Sequence, residues 1–427
     1  MRNEKQISVD VAVIGGGPAG ISACLELLKL QELKVALFES ASELGGIPRT
    51  CGLFFGFRDR KRIYTGPGYA KKLNRLIRRT SVEVHTDSTV VNLIPGDLEK
   101  PHQIQVMSPQ GLKSYESRFV LLATGCYEAS REARQIPGTR PSGILTTGSL
   151  QQHVNIRHRK PGKRALIVGS ENVALLGLRV LKRAGISVAG IVEEDPQIKA
   201  YSIPAKAMAF FYRVPIYKGA KIKAILGTDR VRGVELARDG DQDVFQVECD
   251  TIIVTGEFRP DSALIYNTPI ELDPATQGPV VDMNLMTSVP NIFAAGNVLR
   301  GADMHDLCAL EGRKAARSIS KRVKSPEPEI DQGVILRAEL PIRYVVPQKI
   351  VPSQIESHLF PSLYPGYCIQ SEHTLLKPAL EVWSGNEKIW EGSFSKWIGR
   401  YRVKLPVKKF DWSRAEAKKG ITLRLQS

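Results

Sequence analysis

With 427 residues the chain is long enough for two or three domains, and a 42 % apolar fraction is ordinary for a protein that buries a core. Its net charge of +16 allows either plain solvated faces or attraction to an acidic partner or anionic membrane surface. No apolar stretch approaches the ~18 residues of a spanning helix, no aromatic-studded basic motif suggests nucleic acid, and six cysteines without a C-x-x-C argue against a zinc site, a ligated iron–sulfur cluster or a dithiol redox centre.

The N-terminus MRNEKQIS has no signal-peptide core and leads straight into a strand, so a cytoplasmic location is expected. The cysteines (24, 51, 126, 249, 308 and 368) read as mostly buried thiols in a reducing compartment, with no metal ligands among them. Asp10 to Glu39 then organises the chain. An apolar run, Val11–Ile14, fits a buried parallel strand. Gly15, Gly17 and Gly20 make G-x-G-x-x-G, and a helical pattern (Ile21, Leu25, Leu28) leads to a second apolar run, Val35–Phe38, ending on Glu39. In such a unit the first glycine makes the turn, the second admits a pyrophosphate, and the third lets helix and strand approach. The helix start offers free N–H groups to phosphate, and the acid is in register for a ribose hydroxyl.

Gly45, Gly46 and Pro48 form a tight loop returning over the carboxyl ends of the strands, so Gly45–Cys51 is placed along an extended cofactor, with Arg49 and Cys51 towards its reactive end. Tyr69–Arg79 reads as a basic amphipathic helix, and Arg58–Arg62, Lys71–Arg79 and Arg157–Arg164 are basic clusters. Val82–Val84, Val90–Ile94 and Ile104–Val106 read as short antiparallel strands. Arg118–Gly125 (RFVLLATG) is a buried strand whose small terminal residues let backbone pass the cofactor. Cys126–Arg159 reads as a polar connector.

A second Rossmann-like unit follows: strand Arg164–Gly169, helix Asn172–Ala184 and strand Val188–Glu194. Its loop, Gly169-Ser170-Glu171-Asn172-Val173-Ala174, carries Glu171 at the second glycine position, where a carboxylate obstructs a phosphate. Three readings stay open there: NAD(P)H, another nucleotide in an altered pose, or a structural relic. Lys221–Leu226, Val231–Leu236 and Val244–Val247 form a meander, and Cys249–Gly256 closes this unit as Arg118–Gly125 closed the first.

Val289–Asn297 (VPNIFAAGN) returns to the first unit. A helix over Ala302–Arg322 carries Asp303, His305 and Asp306 in its first turn, which should point at the cofactor. Beyond the SPEPEID linker, proline-rich sequence and alternating runs near Leu380–Trp390 and Ile398–Val407 read as a small, mostly β appendage. Its Trp383, Trp390, Trp397 and Trp412 are core or interface anchors in this reading. The fold class is α/β: a Rossmann-like domain (1–158 and 258–324), an inserted second one (159–257), and the appendage (325–427).

VDVAVIGGGPAGISAC, ELGGIPR, LLATG and IFAAGNV together resemble the two-dinucleotide-binding-domain FAD/NAD(P) flavoproteins related to thioredoxin reductase and glutathione reductase, over about residues 7 to 322. A narrower resemblance rests on GGIPRTCG, GPGYA, ATGCYEASREARQIPGTRPSGILTTGSLQ and GNVLRG…EGRKAA. These are similar to flavoprotein α subunits of heteromeric amine and amino-acid dehydrogenases, such as opine oxidase, dye-linked proline dehydrogenase, hydrogen cyanide synthase and sarcosine oxidase. In that group a flavoprotein β subunit oxidises the substrate, and small iron–sulfur subunits can accompany the pair. The resemblance implies that Gly15, Gly17, Pro18, Ala19 and Gly20 hold the FAD pyrophosphate. Glu39 and Ser40 meet the adenosine ribose, and Val90 borders the adenine. Gly46, Pro48 and Arg49 lie by the ribityl chain and flavin, Ala123, Thr124 and Gly125 cross the cofactor, and Gly296 and Asn297 meet the ribityl phosphate. Asn297 departs from the superfamily's usual Gly-Asp, but an amide still donates and accepts.

The expected partners are the β subunit and a small iron–sulfur protein. No residue stands out as a general base; His305, Arg49 and Cys51 are the candidates near the reactive end, with a capping histidine and a packing cysteine as the plain alternatives. Three functions compete: an FAD-dependent dehydrogenase subunit, a stand-alone NAD(P)H-dependent flavin reductase, and a non-catalytic FAD-holding assembly subunit.

Overall fold

The computed structural model describes residues 7–52, 54–199, 212–238, 244–325, 333–350, 367–397, 402–415 and 419–426. The opening strand, Ile7–Ile14, is buried on both faces from Val11 onward, as a central parallel strand must be. It pairs in parallel with Val35–Phe38 on one side and Gly111–Leu122 on the other. Outside Val35–Phe38 lies Glu83–His85, also parallel. The sequence reading made that stretch antiparallel; three residues are too few for their alternation to reveal direction. Thr89–Ile94 and His102–Ser108 do pair antiparallel, beside the first half of Gly111–Leu122. The second half of that long strand, Val120–Leu122, instead takes Ile292–Ala294 as a parallel neighbour. Chain from beyond the second unit thereby completes the first sheet.

Two helices cross over this sheet. The opening helix, Pro18–Leu30, starts at Gly17 with proline in its first turn. The closing helix, His305–Lys324, starts three residues later than the sequence reading, so Asp303 precedes it. The helices meet where a β-carbon on Gly312 would come within 2.0 Å of the Ala19 carbonyl oxygen. Only glycine permits that approach.

The second sheet is parallel throughout, in the order Ile144–Thr146, Thr251–Val254, Arg164–Val168, Ser187–Glu193, Ile216–Lys218. Its first strand comes from the stretch read as a polar connector. A three-residue edge strand among glycines and prolines leaves too little apolar pattern to see. The meander Ala220–Leu226, Gly233–Arg238 and Val244–Glu248 is antiparallel.

The appendage is β-rich and has its own core around Leu380, Val382, Trp397, Ile421 and Leu423. Trp397 is buried, while Trp390 and Trp412 pack against that core. Trp383 lies under Lys388 and Arg424 and donates to Glu381. Residues 398–401 of the run read as Ile398–Val407 lie outside the described residues. The appendage is not a pendant. Met283 of the first unit is buried in the appendage core, and Tyr344 and Val346 of the appendage are buried in the first unit's core. Val281 donates its N–H to the Gln348 side chain (3.1 Å), and its carbonyl accepts from Gln348 N–H (3.0 Å). Among the described residues no helix is long and apolar enough to cross a membrane.

Candidate functional site

The first glycine loop stands at the carboxyl end of the opening strand, where ligands bind such sheets. Gly15 has φ +109°, donates to the Phe38 carbonyl (2.8 Å), and has no room for a β-carbon, which would lie 2.2 Å from the Ala123 carbonyl oxygen. Gly20 is equally confined, 2.0 Å from the Gly15 carbonyl oxygen by the same measure. Gly17 differs. Its φ of −82° suits any residue, and a β-carbon there would meet nothing within 4 Å. Neither backbone nor packing explains why this residue is glycine. A ligand lying against it does, and the helix start beside it has no side-chain cap.

Glu39 follows Val35–Phe38. Its carboxylate accepts from Gly16 N–H (2.8 Å) and Ala41 N–H (2.8 Å), with the Ser40 hydroxyl at 3.3 Å. A carboxylate has about four acceptor positions, so it retains capacity for ribose hydroxyls. Ser88 N–H donates to the Glu39 carbonyl (2.9 Å), which brings Val90 to this end of the loop. Gly45 N–H donates to the Gly16 carbonyl (2.8 Å), and a β-carbon on Gly46 would stand 3.1 Å from the Gly17 α-carbon. The GGIPR loop thus lies across the glycine loop. Pro48 is buried, Arg49 is half-buried and paired with Glu43 (3.0 Å), and Cys51 is buried. Ala123 N–H donates to the Ile14 carbonyl (2.8 Å), and Thr124 bonds the Asp261 carbonyl through its hydroxyl (2.7 Å). Gly125, at φ +87°, has open space on its β side. A β-carbon on Gly296 would lie 3.0 Å from that of Ala19. The structure therefore gathers the glycine loop, Glu39, Gly45–Gly46, Ala123–Gly125 and Gly296 around one crevice.

Asn297 is buried, and its side chain is engaged within the protein. Its Oδ1 accepts from Asp303 N–H (3.0 Å) and from the Cys308 thiol (3.1 Å), and the carboxamide reaches the Cys126 thiol as well. Burial pushes the Cys126 thiol up to about 12, so it stays protonated. His305 is buried too, and desolvation holds its pKa down at about 4 despite Asp306. It is a neutral imidazole near pH 7.

Glu311 and Asp59 carry no sequence signal, and Asp306 carries only its place in the first turn of the closing helix. Glu311 is buried, accepts from Gly296 N–H (2.9 Å), and pairs with the equally buried Arg300. Asp306 accepts from Gly56 N–H (2.7 Å) and Arg58 N–H (3.0 Å). Asp59 is buried against the Tyr69 hydroxyl (2.7 Å) and Arg313. Acids inside a helix or a basic run read as solvated charge; only burial marks them, and Asp59 is the single acid between Leu44 and Val82.

The second loop repeats the architecture and fills it from within. Gly169 has φ +108° and donates to the Val192 carbonyl (2.9 Å). Glu171 stands at the start of the helix Asn172–Arg183 and turns its carboxylate into the loop. Thr255 donates its hydroxyl to Glu171 Oε2 (3.1 Å), and β-carbons on Gly169 and Gly256 would meet the carboxylate at 2.7 and 2.6 Å. The acid at the end of the next strand is also engaged. Glu193 is buried, accepts from the Ser170 hydroxyl and from Asp195 N–H, and pairs with Lys199 (2.9 Å). An internal carboxylate stands where a dinucleotide's phosphate would lie, and two negative groups do not share such a cradle. The first site's residues fit a dinucleotide; the second's do not.

These features define a two-Rossmann-domain flavoprotein of thioredoxin reductase-like fold. The sequence pattern of the pyridine nucleotide-disulphide oxidoreductases matches residues 9–318, and the chain belongs to that family. It is 27 % identical over 368 residues to the glutamate synthase [NADPH] small chain of Escherichia coli K12, covering 75 % of this chain and 70 % of that one. It is 26 % identical over 339 residues to hydrogen cyanide synthase subunit HcnB of Pseudomonas aeruginosa, covering 72 % and 70 %. Among solved structures it is similar to T. acidophilum thioredoxin reductase, with a TM-score of 0.63 at 19 % identity, over 75 % of this chain and all of that one. The chain is an FAD-dependent oxidoreductase. Relatives in the family are named for NADPH or NADP.

Proposed function

We propose that this chain is the flavoprotein α subunit of a multi-subunit amine or amino-acid dehydrogenase (opine-, proline- or glycine-type), exchanging electrons with a partner subunit rather than with NAD(P)H. The observation carrying this reading is the Glu171 carboxylate in the second glycine loop. Two of the relatives are, by name, one chain of a larger enzyme, which supports a subunit role. FAD supplies hydride and electron transfer when bound. The chain's own residues do the rest. The opening helix start and the bare face of Gly17 receive the pyrophosphate. Glu39, oriented by two backbone amides, receives ribose hydroxyls. Glu311 fixes the Gly296 amide beside the opening helix. Neutral His305, Arg49 and Cys51 flank the reactive end, and no proton transfer is assigned to them.

A stand-alone NAD(P)H-dependent flavin reductase is the second reading, favoured by relatives named for NADPH or NADP. Stopped-flow mixing of the purified yellow protein with NADH and NADPH separates the two. Under the first reading neither reagent bleaches the flavin band quickly, whereas Glu171→Gly gains measurable NADPH binding. Rapid bleaching of the wild-type chain by either nucleotide overturns it.

A further inference from the structure

The segment between Leu44 and Val82 holds ten Lys or Arg and one acid, and that acid, Asp59, is buried. Much of the molecule's excess charge therefore lies on one short stretch directly after the GGIPR loop. In its middle, Phe57 and Ile63 are 68 % and 64 % exposed. Arg58, Lys61 and Arg62 are exposed around them, and Lys71, Arg75, Arg78 and Arg79 add exposed cations on the helix that follows.

This display is clamped. Asp306, in the first turn of the closing helix, takes the N–H groups of Gly56 and Arg58, on either side of Phe57. Asp59 is held by Tyr69 and Arg313. Buried acids therefore pin the backbone of a loop whose apolar and cationic side chains point outward. Holding a large aromatic in water on an ordered loop has no folding benefit. It is what a pre-organised contact surface needs. The clamp also ties the loop to the helix that begins eight residues after Asn297 and whose Glu311 holds the Gly296 amide.

We infer that the Phe57–Ile63 face docks a small acidic electron-carrier protein. The inference rests on the reading of this chain as a subunit that passes electrons through FAD. Two exposed apolar side chains within a cationic rim match the small, weak interfaces typical of redox encounters, in which opposite charge steers association. They supply too little apolar area for stable membrane anchoring, which scales with buried apolar surface.

The test uses the full-length, flavin-loaded, oxidised protein and an acidic [2Fe–2S] ferredoxin as the probe, with binding measured by calorimetry at rising ionic strength. No turnover is involved and FAD content is measured separately, so failure here is distinguishable from failure of the subunit reading. The wild type should bind, and affinity should fall as salt rises. Phe57→Ser/Arg58→Glu/Arg62→Glu should weaken binding about ten-fold or more, the scale of lost steering. Arg58 meets Asp306 through its backbone, so the clamp survives; should the triple variant misfold, Arg62→Glu alone must still weaken binding and flatten the salt dependence. Arg157→Glu/Arg159→Glu/Lys160→Glu, on another basic run, should leave affinity nearly unchanged. Absence of ferredoxin binding at low salt, or equal loss in both triple variants, overturns the inference. So does a face variant that loses cosedimentation with phosphatidylcholine/phosphatidylglycerol vesicles while keeping ferredoxin.

Discussion

Gly17 and Gly20 are two letters of one motif, yet different forces keep each of them glycine. A β-carbon on Gly20 would press to 2.0 Å from the Gly15 carbonyl, so the constraint is internal. At Gly17 the same atom meets nothing, so the constraint lies outside the chain, in what the loop holds. Alanine substitution separates the two. Gly20→Ala should lower stability by about 1–3 kcal/mol through overpacking, whether or not FAD is present. Gly17→Ala should leave the FAD-free protein's denaturant midpoint nearly unchanged, because an N-cap Gly→Ala exchange costs only a fraction of a kcal/mol, yet the protein should purify with much less flavin. Absorbance at the flavin band and urea unfolding of the stripped proteins check both. Full flavin occupancy in Gly17→Ala would sink this assignment. The motif was legible from the sequence, since glycine spacing between buried strands is a local pattern. So was the ligand role of its second glycine; what was not is that the Ala123 carbonyl, about a hundred residues away, closes the space at Gly15.

At the scale of elements, the closing helix connects the cofactor crevice to the rest of the molecule. Its apolar periodicity made it visible, and the structure moves its start by three residues and its end by two. What periodicity conceals is that Glu311 lies on the buried side, among Leu310, Ala315 and Ala316. Glu311 accepts the Gly296 N–H and balances Arg300, whose guanidinium is buried near Tyr344 and Cys368 of the appendage. Glu311→Gln keeps the size and an acceptor for Gly296 but removes the charge. A buried guanidinium is then left without its main counter-ion, and removing one partner of such a pair costs roughly 3–5 kcal/mol. Asp303, which also bonds Arg300, should hold the loss near the lower end. Chemical denaturation gives the number. A loss under about 1 kcal/mol would mean that the pair contributes little, as exposed pairs do. The strand Ile144–Thr146 is the opposite case: its own residues carry little pattern, and only its partner Thr251–Val254 makes it a strand.

For the whole molecule, parallel sheets betray themselves as apolar runs, so both Rossmann units could be read along the chain. The union of the appendage with the first unit could not, because Met283, Tyr344 and Val346 exchange cores across tens of residues. Such packing keeps polar groups dry, and this gives the protein a pH signature. His305 and His102 are both buried, and desolvation holds each pKa at about 4, below the usual 6.5. Each binds a proton more readily in the unfolded chain. Their stabilisation is complete above about pH 6.5 and is lost as pH falls towards 4, by at most about 2 kcal/mol each at pH 5. Glu128 and Asp282 act in the opposite direction, because burial raises their carboxyl pKa values; they favour the folded state at the acid end and blunt the loss there. The melting temperature should therefore fall between pH 7 and pH 5. His102 also permits a control. Its Nδ1 accepts from Gly96 N–H (2.9 Å), a bond that an asparagine oxygen can replace without titrating. His102→Asn should flatten the decline by about half, while a melting temperature that stays level or rises on acidification would show that these imidazoles are not held neutral by the fold.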